Sequence, residues 1–292
     1  MADAAHPIRF GIQTPQQHTS WQDMLSLWQE IDTLGFDTVW VFDHFLPIFS
    51  DPTGPCLEGW TALAALAMAT KNVRLGVIVT GNTYRQPAVL AKMATTVDII
   101  SGGRLILGIG AGWFELEHRE YGIPFPRVAE RLARLGESLE VIKRLWTEER
   151  TTFSGRYYQL HEAVFNPKPV QRPHPPILVG AGGEQIALGI VARHAQMWNT
   201  FGTPEVFRHK IARLAAHCQR IGRDPATIEK SVLLSALLPL GEVRQRIMDY
   251  VAVGVTHLIF SVPSSVDRQL LRRLAQEIIP AFRQGCHDRT PY

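Results

Sequence analysis

The chain has 292 residues, 46% apolar and 20% charged, with 23 glycines and 19 prolines. That is enough to bury a large core, and it excludes long-range disorder or a plain coiled coil. The net charge, 30 − 27 = +3, is spread along the chain without basic runs, so neither nucleic acid nor a membrane surface is indicated as a partner. The longest apolar stretches, 62–69 and 232–238, fall far short of the roughly 20 residues a bilayer requires. Met1, Ala2, Asp3 and Ala4 form neither a basic segment nor an apolar core, so no secretion signal is expected. Cys56, Cys218 and Cys286 are odd in number and far apart, which fits a reduced cytoplasmic protein without disulfides or a zinc site.

In chain order, short β-rich apolar runs alternate with longer segments of helical period. A strand is expected at 9–13, then a helix at 21–34 with Ser20 as N-cap, Asp23 as the acid three residues on and Gly35 as the stop. The unalternating apolar run 38–42 reads as a strand buried on both faces. A helix at 59–70, a strand at 73–79, a helix at 87–100, a strand at 104–110 and a helix from about 126 to 146 come next. Residues 151–176 then break the alternation: Pro167, Pro169, Pro173, Pro175 and Pro176 favour an extended, irregular excursion. Strands at 177–180, 196–199, 228–234 and 257–260 resume the pattern, with helices at 183–193, 204–221, 242–253 and 266–281.

Strict repetition of this kind allows either a closed (β/α)8 barrel or an open doubly wound sheet. Eight units favour an α/β fold of the TIM-barrel type, one domain over 1–292, with the excursion inserted between strands four and five. In a barrel, reactive groups belong at the C-terminal ends of strands. Those ends offer Asp43-His44-Phe45, the segment Thr80 to Arg85, Gly110 to Trp113, Gly180 to Gly183, and Trp198-Asn199-Thr200. A histidine at a strand end can move protons near neutral pH, and a neighbouring carboxylate can orient it. The plainer alternative has Asp43 capping a helix or bonding loop amides and His44 as a wall residue. His118, His161, His194, His209 and His217 read as surface or packing residues, and no metal site is expected. The run from Gly108 to Gly112 is a weak dinucleotide fingerprint, since Trp113 replaces the last glycine. The glycines at 180–183 fit either a phosphate cradle or a tight turn.

Several of these segments together resemble the luciferase-like superfamily. They are Arg9-Phe10-Gly11-Ile12, Val41 to Phe45, Leu75 to Thr80, Arg104 to Trp113 and Pro175 to Gly180, in order across nearly the whole chain. The resemblance is strongest to the branch that uses the deazaflavin coenzyme F420. It implies a commonly dimeric barrel, with the coenzyme ring in the mouth and its phosphate on Gly180, Gly182 and Gly183. It also implies Ala111 and Gly112 beside the coenzyme tail, and Ile78, Val79, Thr80 and Asn82 on the coenzyme side, with a cis bond at Ile78–Val79. His44 matches a proton donor or acceptor, and Asp43 its coenzyme-contacting neighbour. Trp113 stands where sugar-phosphate and alcohol dehydrogenases of the family have a glutamate, and Ile48 where they have a tryptophan. An apolar or aromatic substrate is therefore expected, lined by Phe45, Ile48, Trp60, Trp113 and Trp198, with Glu58 as a first-turn helix acid. The expected activity is hydride transfer between F420 and an organic substrate. The alternatives are an FMN- and oxygen-dependent two-component monooxygenase on the same fold, and a flavin-binding protein without catalysis.

Overall fold

The computed structural model describes residues 6–263 and 265–284; the N-terminal residues 1–4 and Cys286 lie outside them. The first unit is β1 (Arg9–Gln13) and α1 (Trp21–Thr33). Ser20 caps the helix as its pattern requires, accepting from the Asp23 amide and donating its hydroxyl to the Asp23 carboxylate. The chain then turns through Gly35 at φ +84°, a left-handed conformation that favours glycine. The second unit is β2 (Thr38–Val41) and α2 (Gly59–Ala69), and the third is β3 (Arg74–Val77), β4 (Thr80–Gly81) and α3 (Pro87–Ile100). The expected strand 73–79 therefore stops at Val77, bulges at 78–79 and resumes for two residues.

After β5 (Leu105–Gly110) come α4 (Glu115–Glu120), which the sequence pattern does not signal, and α5 (Val128–Thr147). The excursion is more ordered than its prolines suggest. Strands β6 (Arg150–Ser154) and β7 (Gln159–Val164) form an antiparallel hairpin. Only the stretch 165–176 is irregular, with cis bonds before Pro167 and Pro173. The prolines lie outside the paired segment, so none of them interrupts its ladder. The remaining units are β8 (Ile177–Gly180) with α6 (Ala187–His194), β9 (Met197–Thr200) with α7 (Pro204–Arg220), and β10 (Glu229–Ser235) with α8 (Leu240–Ala252). Last comes β11 (His257–Ser261), then α9 (Arg268–Arg273), which runs through a π segment into α10 (Ile279–Gln284). Helix α6 starts at Ala187 and not at Gly183, because a turn at 184–186 precedes it.

All pairings in the main sheet are parallel, and β3, at one end of the strand order β3-β2-β1-β11-β10-β9-β8-β5-β4, also pairs with β5 near the other end, so the sheet closes. With β3 and β4 sharing one position, this is the (β/α)8 barrel expected from the unit count. Trp40, Ile78, Ile106, Leu178, Met197 and Ile259 fill the barrel, while a much larger apolar layer lies between strands and helices. At the N-terminal end of the strands, Arg9 forms a salt bridge with buried Glu229, and the buried His257 ring bonds the Thr38 hydroxyl at 2.8 Å. That end is a closed polar plug, which leaves the opposite end as the open mouth. No helix among the described residues is long and apolar enough to cross a membrane.

Candidate active site

Asp43, His44 and Phe45 come directly after β2 at the C-terminal end of the barrel. His44 is 7% exposed, with Phe42, Trp113 and Phe114 packed edge-on around its ring at 5.1, 5.4 and 5.7 Å. The carboxylate that reaches it is not its neighbour Asp43. It is Glu117 of α4, whose Oε1 lies 2.8 Å from His44 Nδ1. The Phe45 amide donates to Glu117 Oε2 at 2.9 Å, and the Tyr84 hydroxyl donates to Oε1. Burial would lift the Glu117 carboxyl, but the bond and charge of His44, the Tyr84 hydroxyl and the Phe45 amide outweigh it and hold it below the ordinary range. Glu117 is not legible in the sequence because a six-residue helix shows no period to recognise.

Asp43 is 1% exposed and takes both guanidinium nitrogens of Arg85, at 2.6 and 3.0 Å. Arg85 also reaches Glu58 at 2.6 Å, and Glu58 caps α2 by accepting from the Trp60 and Thr61 amides. Glu58 is thus a helix-end acid, at the cap and not inside the first turn. Burial lifts the Asp43 carboxyl above its ordinary value, with Arg85 pulling against it. Burial would lower Arg85, yet its two acids raise it. Cys56 donates to the His44 carbonyl at 3.4 Å, and burial pushes its thiol up to about 12, with Glu117 adding to the effect, so it is unactivated.

The bond between Ile78 and Val79 is cis, as the resemblance implies. Val79 turns its side chain against β5 and β8, where a Cβ on Gly110 or Gly180 would meet Val79 Cγ2 at 2.9 Å. Gly180 is therefore required by this packing, whatever else it does. Thr80 is fully buried and accepts the Trp60 indole N–H at 2.9 Å, while Gly112 takes φ +81° close against Thr83. The Asn82 backbone N–H donates to the Gly110 carbonyl at 2.9 Å. The buried Oδ1 of Asn82 has no partner, and the residue lines a cavity of about 220 Å³ with Arg85, Arg134 and Tyr158. A Cβ on Gly182 would meet only ordinary van der Waals contact, with Lys210 Nζ at 3.6 Å and the Thr200 hydroxyl at 3.7 Å, and one on Gly183 would lie 3.6 Å from Ala187 Cβ. Lys210 also reaches the buried Thr200 hydroxyl at 3.4 Å, which puts a cation beside the glycine turn that the sequence alone does not place there. Ala111 is half-buried between Gly110 and Gly112.

The aromatic lining is smaller than expected. Trp198 is fully buried outside the barrel, its indole on the Ala181 carbonyl and its ring 6.0 Å from Phe207 of α7. Trp60 is 2% exposed and committed to Thr80. The alternation of strand side chains sends Trp198 outward, and helix packing holds Trp60. Phe45 packs on Tyr84 and Tyr121 at 4.9 and 5.2 Å, and the backbone of Ile48 is pinned by Gln17. Trp113, 52% exposed, remains beside His44, and Phe49, 92% exposed, stacks on it at 5.8 Å. His118, read as a packing residue, is one: it is fully buried and bonds the Thr83 hydroxyl and the Phe114 carbonyl.

A closed barrel with a histidine at the end of strand two and a bulged third strand defines a class, and comparison with known proteins identifies it. The profile of the luciferase-like monooxygenase family matches residues 5–285, and the chain belongs to that family. It is 27% identical to an F420-dependent glucose-6-phosphate dehydrogenase of Kineococcus radiotolerans over 334 residues, covering 95% of this chain and 98% of the relative. It is 32% identical to the F420-dependent hydroxymycolic acid dehydrogenase of Mycobacterium tuberculosis over 211 residues, 72% of this chain and 57% of the relative. Among solved structures, an F420-dependent secondary alcohol dehydrogenase in complex with an F420-acetone adduct superposes with a TM-score of 0.85 at 21% identity. It covers 95% of this chain and 100% of that one, a likeness of fold.

Proposed function

We propose that the protein is an oxidoreductase that moves a hydride between coenzyme F420 and an organic substrate with an apolar or aromatic face. The observation that carries the reading is His44, buried at the barrel mouth with one ring nitrogen committed and the exposed Trp113–Phe49 stack beside it. The residues present fit the coenzyme. The orphaned Oδ1 of Asn82 wants a polar partner, and the side-chain-free turn at Gly182 and Gly183 lies beside the Lys210 ammonium, a donor set suited to a phosphate. Gly182, Gly183 and Lys210 would hold the phosphate, Asn82, Ala111 and Gly112 the polar chain, and Ile78, Val79 and Thr80 the ring side of the bulge. Gly180 serves this arrangement by admitting Val79. When bound, the coenzyme supplies the hydride chemistry at its C5 carbon. His44 holds or delivers the accompanying proton at Nε2, Asp43 stays paired with Arg85, and Trp113 with Phe49 offers an apolar face to the substrate.

The names of the relatives support F420 over FMN, and the exposed indole of Trp113 supports a substrate with an apolar or aromatic face. The same reading takes the enzyme as a cytoplasmic homodimer. The outer faces of α2 and α3 support the dimer, because Met68, Val89 and Ile99 are 71%, 53% and 40% exposed there. Titration of the full chain with F420 and with FMN tests the coenzyme. Micromolar binding of F420, with FMN at least tenfold weaker, is expected. Binding of FMN alone would reverse the assignment in favour of a monooxygenase.

A further inference from the structure

We infer that Glu117, braced by Tyr84, is a positioning residue that fixes the tautomer of His44 and so determines which ring nitrogen is free for proton transfer. An ionised carboxylate can only accept hydrogen bonds. Three donors converge on Glu117, namely His44 Nδ1, the Phe45 amide and the Tyr84 hydroxyl, and the side chain is fully buried. Neutral His44 therefore carries its hydrogen on Nδ1, and Nε2 is left with its lone pair.

Glu117 has little freedom to release the ring. Its Oε2 is held by the Phe45 backbone, the residue after His44, so carboxylate and imidazole are fixed to the same stretch of chain. Tyr84 lies across Gly81, where an added Cβ would come within 2.4 Å of its ring, and it packs on Phe45 and His118 at 4.9 Å each. His118 in turn bonds the Phe114 carbonyl, at the residue before α4, at 2.7 Å. The other titratable groups nearby are committed elsewhere. Asp43 is engaged by Arg85, Arg85 by Asp43 and Glu58, and the Cys56 thiol by the His44 carbonyl. Phe42, Trp113 and Phe114 confine the imidazole edge-on.

This assignment rests on the proposed role of His44, but its test needs neither coenzyme nor substrate. Long-range 1H–15N correlation spectra of the full chain report which ring nitrogen of His44 carries the proton. In the wild type at mildly alkaline pH the proton is expected on Nδ1. In Glu117→Gln, the amide can turn its N–H2 group toward Nδ1, and a substantial shift of the proton to Nε2 is expected. Carbethoxylation of His44 by diethyl pyrocarbonate, measured by peptide mass, should then slow by about tenfold. Tyr84→Phe leaves the carboxylate in place, so His44 should keep its tautomer. A wild-type proton on Nε2, or a Glu117→Gln spectrum and carbethoxylation rate indistinguishable from wild type, overturns the assignment. If Glu117→Gln does not fold, the wild-type and Tyr84→Phe spectra decide the matter. Failure of F420 to bind would refute the proposed function while leaving this result intact.

Discussion

His44 and Asp43 adjoin in sequence yet serve different partners, and their substitutions should fail in different ways. His44 moves a proton, so His44→Ala should keep coenzyme affinity within about threefold while turnover falls about 10²–10⁴-fold. Steady-state kinetics with whichever acceptor the wild type reduces would check this, and unaltered turnover would remove His44 from the mechanism. Asp43 is instead half of a buried ion pair. Arg85→Met would strand a carboxylate that is 1% exposed, at a cost of about 3–5 kcal/mol in denaturant unfolding. Asp43→Asn in the same chain should recover part of that loss, and a penalty below about 1 kcal/mol for Arg85→Met alone would contradict the reading. The dipeptide is visible in the sequence as a candidate pair. Its division of labour is not, because Glu117 and Arg85 approach from 73 and 42 residues away.

At the level of elements, the strands are legible because their apolar runs are buried on both faces, as in β2 and β5. What escapes is short or set by packing. Helix α4 has six residues, β4 has two, and the hairpin β6–β7 sits among prolines that suggest no regular structure. Trp198 and Trp60 were expected at the mouth, but which face a side chain takes depends on the register of its strand or on what its helix packs against. Helices α2 and α3 carry the prediction at this scale. No residue of α2 is charged, and α3 has only Lys92, tied to the Asn166 carbonyl, and buried Asp98. Met68→Arg combined with Val89→Glu should halve the solution mass by light scattering and leave the circular dichroism unchanged. A wild type that is already monomeric would remove the proposed dimer.

Across the whole molecule, the closed end of the barrel makes stability depend on pH. Burial drives His257 down to about 4, with Glu229 opposing and Arg9 adding to the shift, and burial likewise takes His194 to about 3. Both stay neutral in the fold while their unfolded counterparts protonate near 6.5, so the unfolded chain binds more protons as pH falls. Stability should be flat above about pH 7 and decline from about 6.5 toward 4, by on the order of 3 kcal/mol for His257. Melting temperatures from about pH 8 to about 4.5 would follow the decline, and His257→Gln should make it shallower while leaving the share of His194; an unchanged slope would assign the effect elsewhere. The order of amino acids was enough to give the β/α repeat and the strand ends where chemistry collects, and its eight units favoured a barrel, because β/α alternation is a local, periodic property that each segment carries alone; closure itself is the long-range pairing of β3 with β5. The cis bond was expected from resemblance and is present at Ile78–Val79. It took the folded chain to settle that Glu117 and not Asp43 faces His44, that Val79 needs Gly110 and Gly180, and that Lys210 stands beside Gly182. These are contacts between segments remote in the chain, fixed by register and helix packing, and no local pattern encodes them.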